Sequence, residues 1–227
     1  MLAGSKQGGD LLDLPPGTYY FTGISVSGDT VTIGAMTTHA EVAASKEVAG
    51  AIPALAALAE MIGDPAVRNR GTLGGSIANN DPAADYPAAV VGLGATVKTN
   101  KREIAGDDFF TGLFETALDE GEIVTSVSFP VPEKAGYSKF PNPASRYAVV
   151  GVFAAKTGNG TRVAVTGAGP CVYRIGEMES ALDGSWSADA VAGISASADG
   201  LNEDIHASAE YRAHLVTVMA KRAVASS

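Results

Sequence analysis

Two bare glycines, Gly74 and Gly75, stand between two hydroxyl residues, Thr72 and Ser76, in the stretch Ile62 to Pro87. An acid, Asp85, follows within the same stretch, beyond Asp81. Glycine lets a backbone come close to a ligand. Successive open N–H groups make a concavity that suits a phosphate or pyrophosphate. The stretch therefore has the makings of half a nucleotide-cofactor site. Taken alone, Gly74-Gly75 also suits a plain turn. Asp85 likewise suits the start of a helix over Tyr86 to Leu93, where an acid is favourable. Arg68 and Arg70 have three possible neighbours: a phosphate, a partner or solvent.

Other chemistry is poorly supported. No Ser-His-Asp or paired-carboxylate arrangement can be built from spacing, so no catalytic side chain is expected. His39, His206 and His214 are scattered without metal-ligand spacing, and no metal site is expected. Cys171 is the single cysteine, which excludes a disulfide framework and any all-cysteine metal or iron–sulfur site within this chain. The chain has 227 residues, 46% of them hydrophobic, enough for one large domain or two small ones. Its net charge of -9 argues against nucleic acid. No membrane span and no secretory signal are visible, so a cytoplasmic protein is expected.

The elements that must position the glycine stretch can be traced. Ile24 to Val26 and Val31 to Ala35 read as a hairpin around Ser27-Gly28-Asp29. Thr38 and Glu41 have capping-box spacing before a short helix, Ala40 to Ser45. Pro53 opens a second helix with Leu55, Leu58 and Ile62 on one face. No further helix is expected until Tyr86. A dinucleotide fingerprint needs strand, glycines, then helix, so that pattern fits weakly. Ala95 to Thr99 pairs with Arg102 to Ile104. Phe109, Phe110, Leu113 and Phe114 form an aromatic loop or short helix, and Ile123 to Pro130 a strand. The proline-rich stretch from Pro130 to Pro143 is the expected domain boundary. Beyond it, Tyr147 to Lys156 and Arg162 to Thr166 are strands joined at Gly158-Asn159-Gly160. Helices are expected over Ile175 to Leu182, Ala188 to Ala198 and Ser208 to Val224. The last would bury Tyr211, Leu215 and Val218.

The residues DPAVRNRGTLGGSIANNDPAADYPA resemble the second flavin-binding segment of the FAD (medium) subunit of molybdenum hydroxylases, the xanthine dehydrogenase and aerobic carbon monoxide dehydrogenase family. The likeness extends upstream through VTIGAMTTHAEVAAS. Downstream it runs through GEIVTSVSFPVP, SRYAVVGVFAA and GAGPCVYR to the C-terminal SAEYRAHLVTVMAKRAV. The resemblance implies an α+β fold. Its first part is the second half of a PCMH-type FAD-binding domain, followed by a C-terminal domain of antiparallel sheet plus helices. The expected boundaries are 1–20 as a remnant of a first FAD subdomain, 21–132 as the FAD-binding subdomain and 133–227 as the C-terminal domain.

It also implies a function: electrons pass from iron–sulfur clusters on a small 2Fe-2S subunit through FAD to an external acceptor. A molybdenum cofactor-binding large subunit would feed those clusters. Thr72, Gly74, Gly75 and Ser76 match the segment that holds the FAD pyrophosphate. Asp85 matches the acid that binds sugar or ribityl hydroxyls. Asn79 and Asp81 would add polar contacts, and Ile123 and Val124 an apolar wall beside the flavin. The family's first glycine-rich loop is matched only by Leu2 to Ser5 or Gly8 to Leu12, with Asp13-Leu14 after it. The first subdomain is thus expected to be deleted or severely shortened. Each lost charge-assisted hydrogen bond would remove about 1.5–3 kcal/mol of FAD binding. The alternative to an electron-transfer subunit is a flavin-free scaffold that only docks partner subunits.

Overall fold

A computed structural model describes residues 21–227. The expectations placed on residues 1–20, including both candidate first loops, lie outside the described residues.

The chain begins with the hairpin β1 (Ile24–Ser27) and β2 (Thr30–Gly34). A run of short helices follows: α1 (His39–Ala44), α2 (Lys46–Ala51), α3 (Pro53–Glu60), α4 (Pro65–Arg70), α5 (Leu73–Asn79) and α6 (Tyr86–Gly92). The chain then forms β3 (Thr96–Thr99), β4 (Glu103–Ala105), α7 (Gly106–Phe109), the small hairpin β5 (Phe110–Gly112) and β6 (Glu115–Thr116), and β7 (Val124–Pro130). Strands β1-β2-β7-β3-β4 make one antiparallel sheet in that order. The second lobe holds β8 (Lys134–Pro141), β9 (Ala148–Thr157), β10 (Gly160–Thr166), β11 (Tyr173–Arg174), α8 (Gly176–Gly184), α9 (Ala188–Val191) and α10 (Ala209–Ala225). Its sheet runs β11-β10-β9-β8, also antiparallel.

Local signals account for much of this. Thr38 and Glu41 form the reciprocal capping box at the start of α1. Pro53 occupies the first turn of α3, where its missing N–H costs nothing. Leu55 and Leu58 are fully buried from that helix. β9 is apolar almost throughout because both its faces are covered. Val150, Val152 and Ala154 face the core beneath α10, while Phe153 and Ala155 join the core of the first lobe.

Three expectations need correction. Two helices, α4 and α5, the second starting at the glycines themselves, lie where none is expected before Tyr86. The helix expected over Ala188 to Ala198 stops at Val191. In α10 the buried stripe is Leu215, Val216, Met219, Ala220 and Ala223, whereas Tyr211 is 43% exposed. Alanine and methionine, not tyrosine, complete the buried face of α10, because small and flexible side chains let the helix lie close on the sheet. The aromatic stretch is α7 followed by a hairpin, and part of the proline-rich stretch is strand β8.

Candidate functional site

The glycine turn is built from its neighbours. Thr72 caps α5, its hydroxyl accepting from the Gly75 N–H at 3.1 Å. Leu73 N–H donates to Thr37 O at 3.1 Å, and Gly74 N–H to Ala35 O at 2.8 Å. His39 N–H donates to Gly71 O, and Thr38 bridges Thr72. The N–H groups of Leu73, Gly74 and Gly75 are thus already used inside the protein. This corrects the expectation of an open nest of backbone donors.

Gly74 has a different reason to be glycine. A Cβ there would lie 2.5 Å from Ala35 Cβ and 2.8 Å from Ala35 O. The close approach is between α5 and the segment leaving β2, not between backbone and ligand.

The same peptide links the turn to the expected apolar wall. Ala35 N–H donates to Thr125 O at 2.9 Å while Ala35 O accepts from Gly74. Ile123 and Val124 immediately precede Thr125. Ile123 is partly exposed, and Val124 belongs to the core. Glu122 holds this segment in place. Its buried carboxylate accepts from Arg102 Nε at 3.1 Å, Thr99 Oγ1 at 2.7 Å and the Asp119 N–H at 2.9 Å. The Arg102 hydrogen bond, helped by the other two donors, lowers its carboxyl to about 2. Sequence reasoning missed Glu122, although its place just ahead of Ile123 was visible.

The remaining candidates are split. Ser76 is half-buried and Asn79 exposed, and neither side chain has a hydrogen-bond partner among the described residues. Asp81 accepts the Ala83 N–H at 2.9 Å, which shapes the loop. Asp85 is 4% exposed and faces the second lobe. It accepts from the Tyr137 hydroxyl at 2.5 Å, and Lys139 Nζ lies 3.0 Å away. Lys139 also donates to Met61 O at 2.9 Å. Sequence reasoning missed Tyr137 and Lys139, which carry no local signal of a tie to Asp85. Asp85 stands at the N-cap of α6, the helix start expected from the sequence, but makes no side-chain cap hydrogen bond and spends its carboxylate on Tyr137 and Lys139 instead. The Arg68 guanidinium donates to Ile62 O and Gly63 O, while Arg70 is exposed. A separate cleft of about 430 Å³, lined by Gly94, Gly106, Asp107, Glu133 and Arg162 among others, includes none of the expected cofactor residues.

Residues 20–132 match the model of the FAD binding domain in molybdopterin dehydrogenase, and residues 136–227 match the CO dehydrogenase flavoprotein C-terminal domain. The nicotine 6-hydroxylase medium subunit of Paenarthrobacter nicotinovorans is 36% identical over 211 residues, covering 87% of this chain and 75% of that one. The chain belongs to the FAD-binding medium-subunit family of molybdenum hydroxylases. The carbon monoxide dehydrogenase medium chain of Hydrogenophaga pseudoflava is 32% identical, with 89% of this chain and 76% of that one covered. Among solved structures, carbon monoxide dehydrogenase from Hydrogenophaga pseudoflava superposes with a TM-score of 0.79 at 32% identity, covering 91% of this chain and 78% of that one. Quinoline 2-oxidoreductase from Pseudomonas putida 86 superposes with a TM-score of 0.79 at 28% identity, covering 92% of this chain and 78% of that one. This medium-subunit family has the α+β fold expected from the sequence, and its members are oxidoreductase subunits. No helix among the described residues is long and apolar enough to cross a membrane.

For a medium subunit the implied cofactor is FAD, and the residues at the turn fit it through side chains. The Ser76 hydroxyl and the Asn79 amide are unspent. Gly74 and Gly75 are spent on protein carbonyl and hydroxyl groups, so they shape the site instead of filling it with donors.

Proposed function

We propose that this chain is the flavoprotein subunit of a molybdenum hydroxylase, carrying electrons from iron–sulfur clusters on a small 2Fe-2S subunit to an external acceptor. A large molybdenum cofactor-binding subunit would oxidise the substrate. Residues 21–132 would form the flavin-binding lobe and 133–227 the second lobe, in a cytoplasmic complex. The observation that carries this proposal is the junction at Ala35, which sets the glycine turn beside the Ile123–Val124 segment through two backbone hydrogen bonds.

In this proposal Ser76 and Asn79 meet the pyrophosphate, with Thr72 and Gly75 fixing the turn that presents them. Ile123 shields the ring system from water, and Val124 backs it from the core. Asp85 sets the position of the loop by binding Tyr137 and Lys139 and offers any sugar contact only through a rearrangement of that pair. When bound, FAD supplies the electron-carrying chemistry. No side chain of this chain is asked to act as acid, base or nucleophile.

A second possibility is the flavin-free scaffold, favoured by one observation: the first three N–H groups of α5 are internally bonded. The visible spectrum separates the two. A yellow protein that keeps its colour on desalting and releases FAD on denaturation supports the flavoprotein. A colourless protein that takes up no added FAD supports the scaffold. Replacing Ser76 by alanine or Gly75 by valine should weaken FAD uptake. Unchanged uptake in both would remove the glycine turn from the site.

A further inference from the structure

The hairpin β5–β6 carries a feature that the cofactor site does not use. Its root is buried: Phe109 is fully covered, and Phe110 packs edge-on against it with ring centroids 5.0 Å apart. Its tip is not: Leu113 is 55% exposed and Phe114 49%. Gly112 pairs directly with Glu115, so Leu113 and Phe114 alone make the loop. Phe114 has a φ of 54°, in the left-handed region that a tight turn normally gives to glycine or asparagine. Asn80 fastens this turn from within, its amide donating to Gly112 O at 2.8 Å and to Glu115 O at 2.7 Å. Asn80 itself has a φ of 43° where it ends α5. One residue in a conformation unfavourable to it, Phe114, anchored by Asn80, therefore holds two large apolar side chains out in water. Backbone strain of this kind concentrates at functional sites, and adjacent exposed apolar side chains mark contact with another molecule.

The chain segment that carries the tip has acidic charges only. From Glu103 to Glu133 the sequence contains no lysine or arginine. Asp107, Asp119 and Glu122 are paired with arginines from outside that stretch. Asp108 and Glu115 are exposed and make no ion pair among the described residues.

We propose that the Leu113–Phe114 tip docks the small iron–sulfur subunit, whose facing surface is an apolar pocket edged by lysine or arginine side chains. This rests on the flavoprotein function proposed above. Asn80 ties the tip to the end of α5, and the glycine turn starts the same helix. At 1.5 Å per residue the two are within roughly 12 Å along its axis. The flavin proposed above starts at that turn and runs to Ile123, so a subunit that delivers electrons to it comes within reach of the tip. Acidic residues around the tip would steer a basic partner and make association weaken with salt.

The test uses the chain with its flavin and the isolated iron–sulfur subunit. Phe114→Gly removes the aromatic ring and relieves the positive φ, so the fold is kept. Leu113→Ser removes the second apolar group. Expected are an unchanged or raised unfolding midpoint for Phe114→Gly and unchanged FAD content for both. Binding of the iron–sulfur subunit should weaken by about tenfold or more, as for a buried aromatic anchor. Equal binding by wild type, Phe114→Gly and Leu113→Ser overturns the proposal. So does a loss confined to the large subunit or to self-association. A wild-type chain that binds FAD but no iron–sulfur subunit defeats the complex proposed above, and the docking role falls with it.

Discussion

The Tyr137 hydroxyl donates to the Asp85 carboxylate at 2.5 Å, and this contact joins the two lobes. Tyr137 lies on β8 of the second lobe, while Asp85 ends the loop that follows the glycine helix. Lys139, two residues along the same strand, completes the group from 3.0 Å. All three side chains are buried. Burial pushes the Asp85 carboxyl above its ordinary value, and the Lys139 charge and the Tyr137 hydroxyl pull the other way.

Asp85→Asn should therefore be strongly destabilising. The amide still accepts from Tyr137, but the Lys139 ammonium is left buried without its counter-charge. Breaking a buried pair on one side costs about 3–5 kcal/mol. Urea unfolding of wild type and variant measures the difference. A loss below about 1 kcal/mol, the range of a surface pair, would mean that water reaches Lys139.

Gly74→Ala should destabilise the fold for a steric reason. The added methyl would sit 2.5 Å from Ala35 Cβ and 2.8 Å from Ala35 O, and the backbone must move. Overpacking of this kind costs about 1–3 kcal/mol. The same shift should loosen the Ala35–Thr125 hydrogen bond and slow nothing but FAD uptake in a folded variant. Thermal unfolding and FAD titration measure the two effects. Full stability in Gly74→Ala would show that α5 and the Ala35 segment part without cost.

His39 should give the fold a pH dependence on the acid side. Its ring is 5% exposed, lies 5.3 Å from the Tyr86 ring and has Nδ1 without a partner among the described residues. Burial, with Arg68 adding to it, lowers the imidazole from 6.5 to about 4. The unfolded chain therefore binds a proton that the folded chain refuses between these values. Stability is complete above about pH 6.5 and falls as pH drops toward 4, with a slope approaching ~1.4 kcal/mol per pH unit. His39→Gln should flatten the slope between pH 5 and 6.5, above most carboxylate titrations. Denaturation midpoints across that window decide it: an unchanged slope would assign the effect to other groups.

Local sequence determined much of this protein. The Thr38–Glu41 capping box, Pro53 at the first turn of α3 and the Gly158-Asn159-Gly160 turn act over a few residues, so they can be read without a fold. The ordered motifs from Val31 to the C-terminus likewise carried the family. Only the tertiary structure decided what the glycines and the acid do. Gly74 gives its N–H to Ala35, and Asp85 meets residues 52 and 54 positions away. A glycine signals room for a close approach, not which neighbour makes it. A carboxylate signals a need for donors, not which strand supplies them. Those choices depend on the path of the chain between them, and that path is set by packing two lobes around α6.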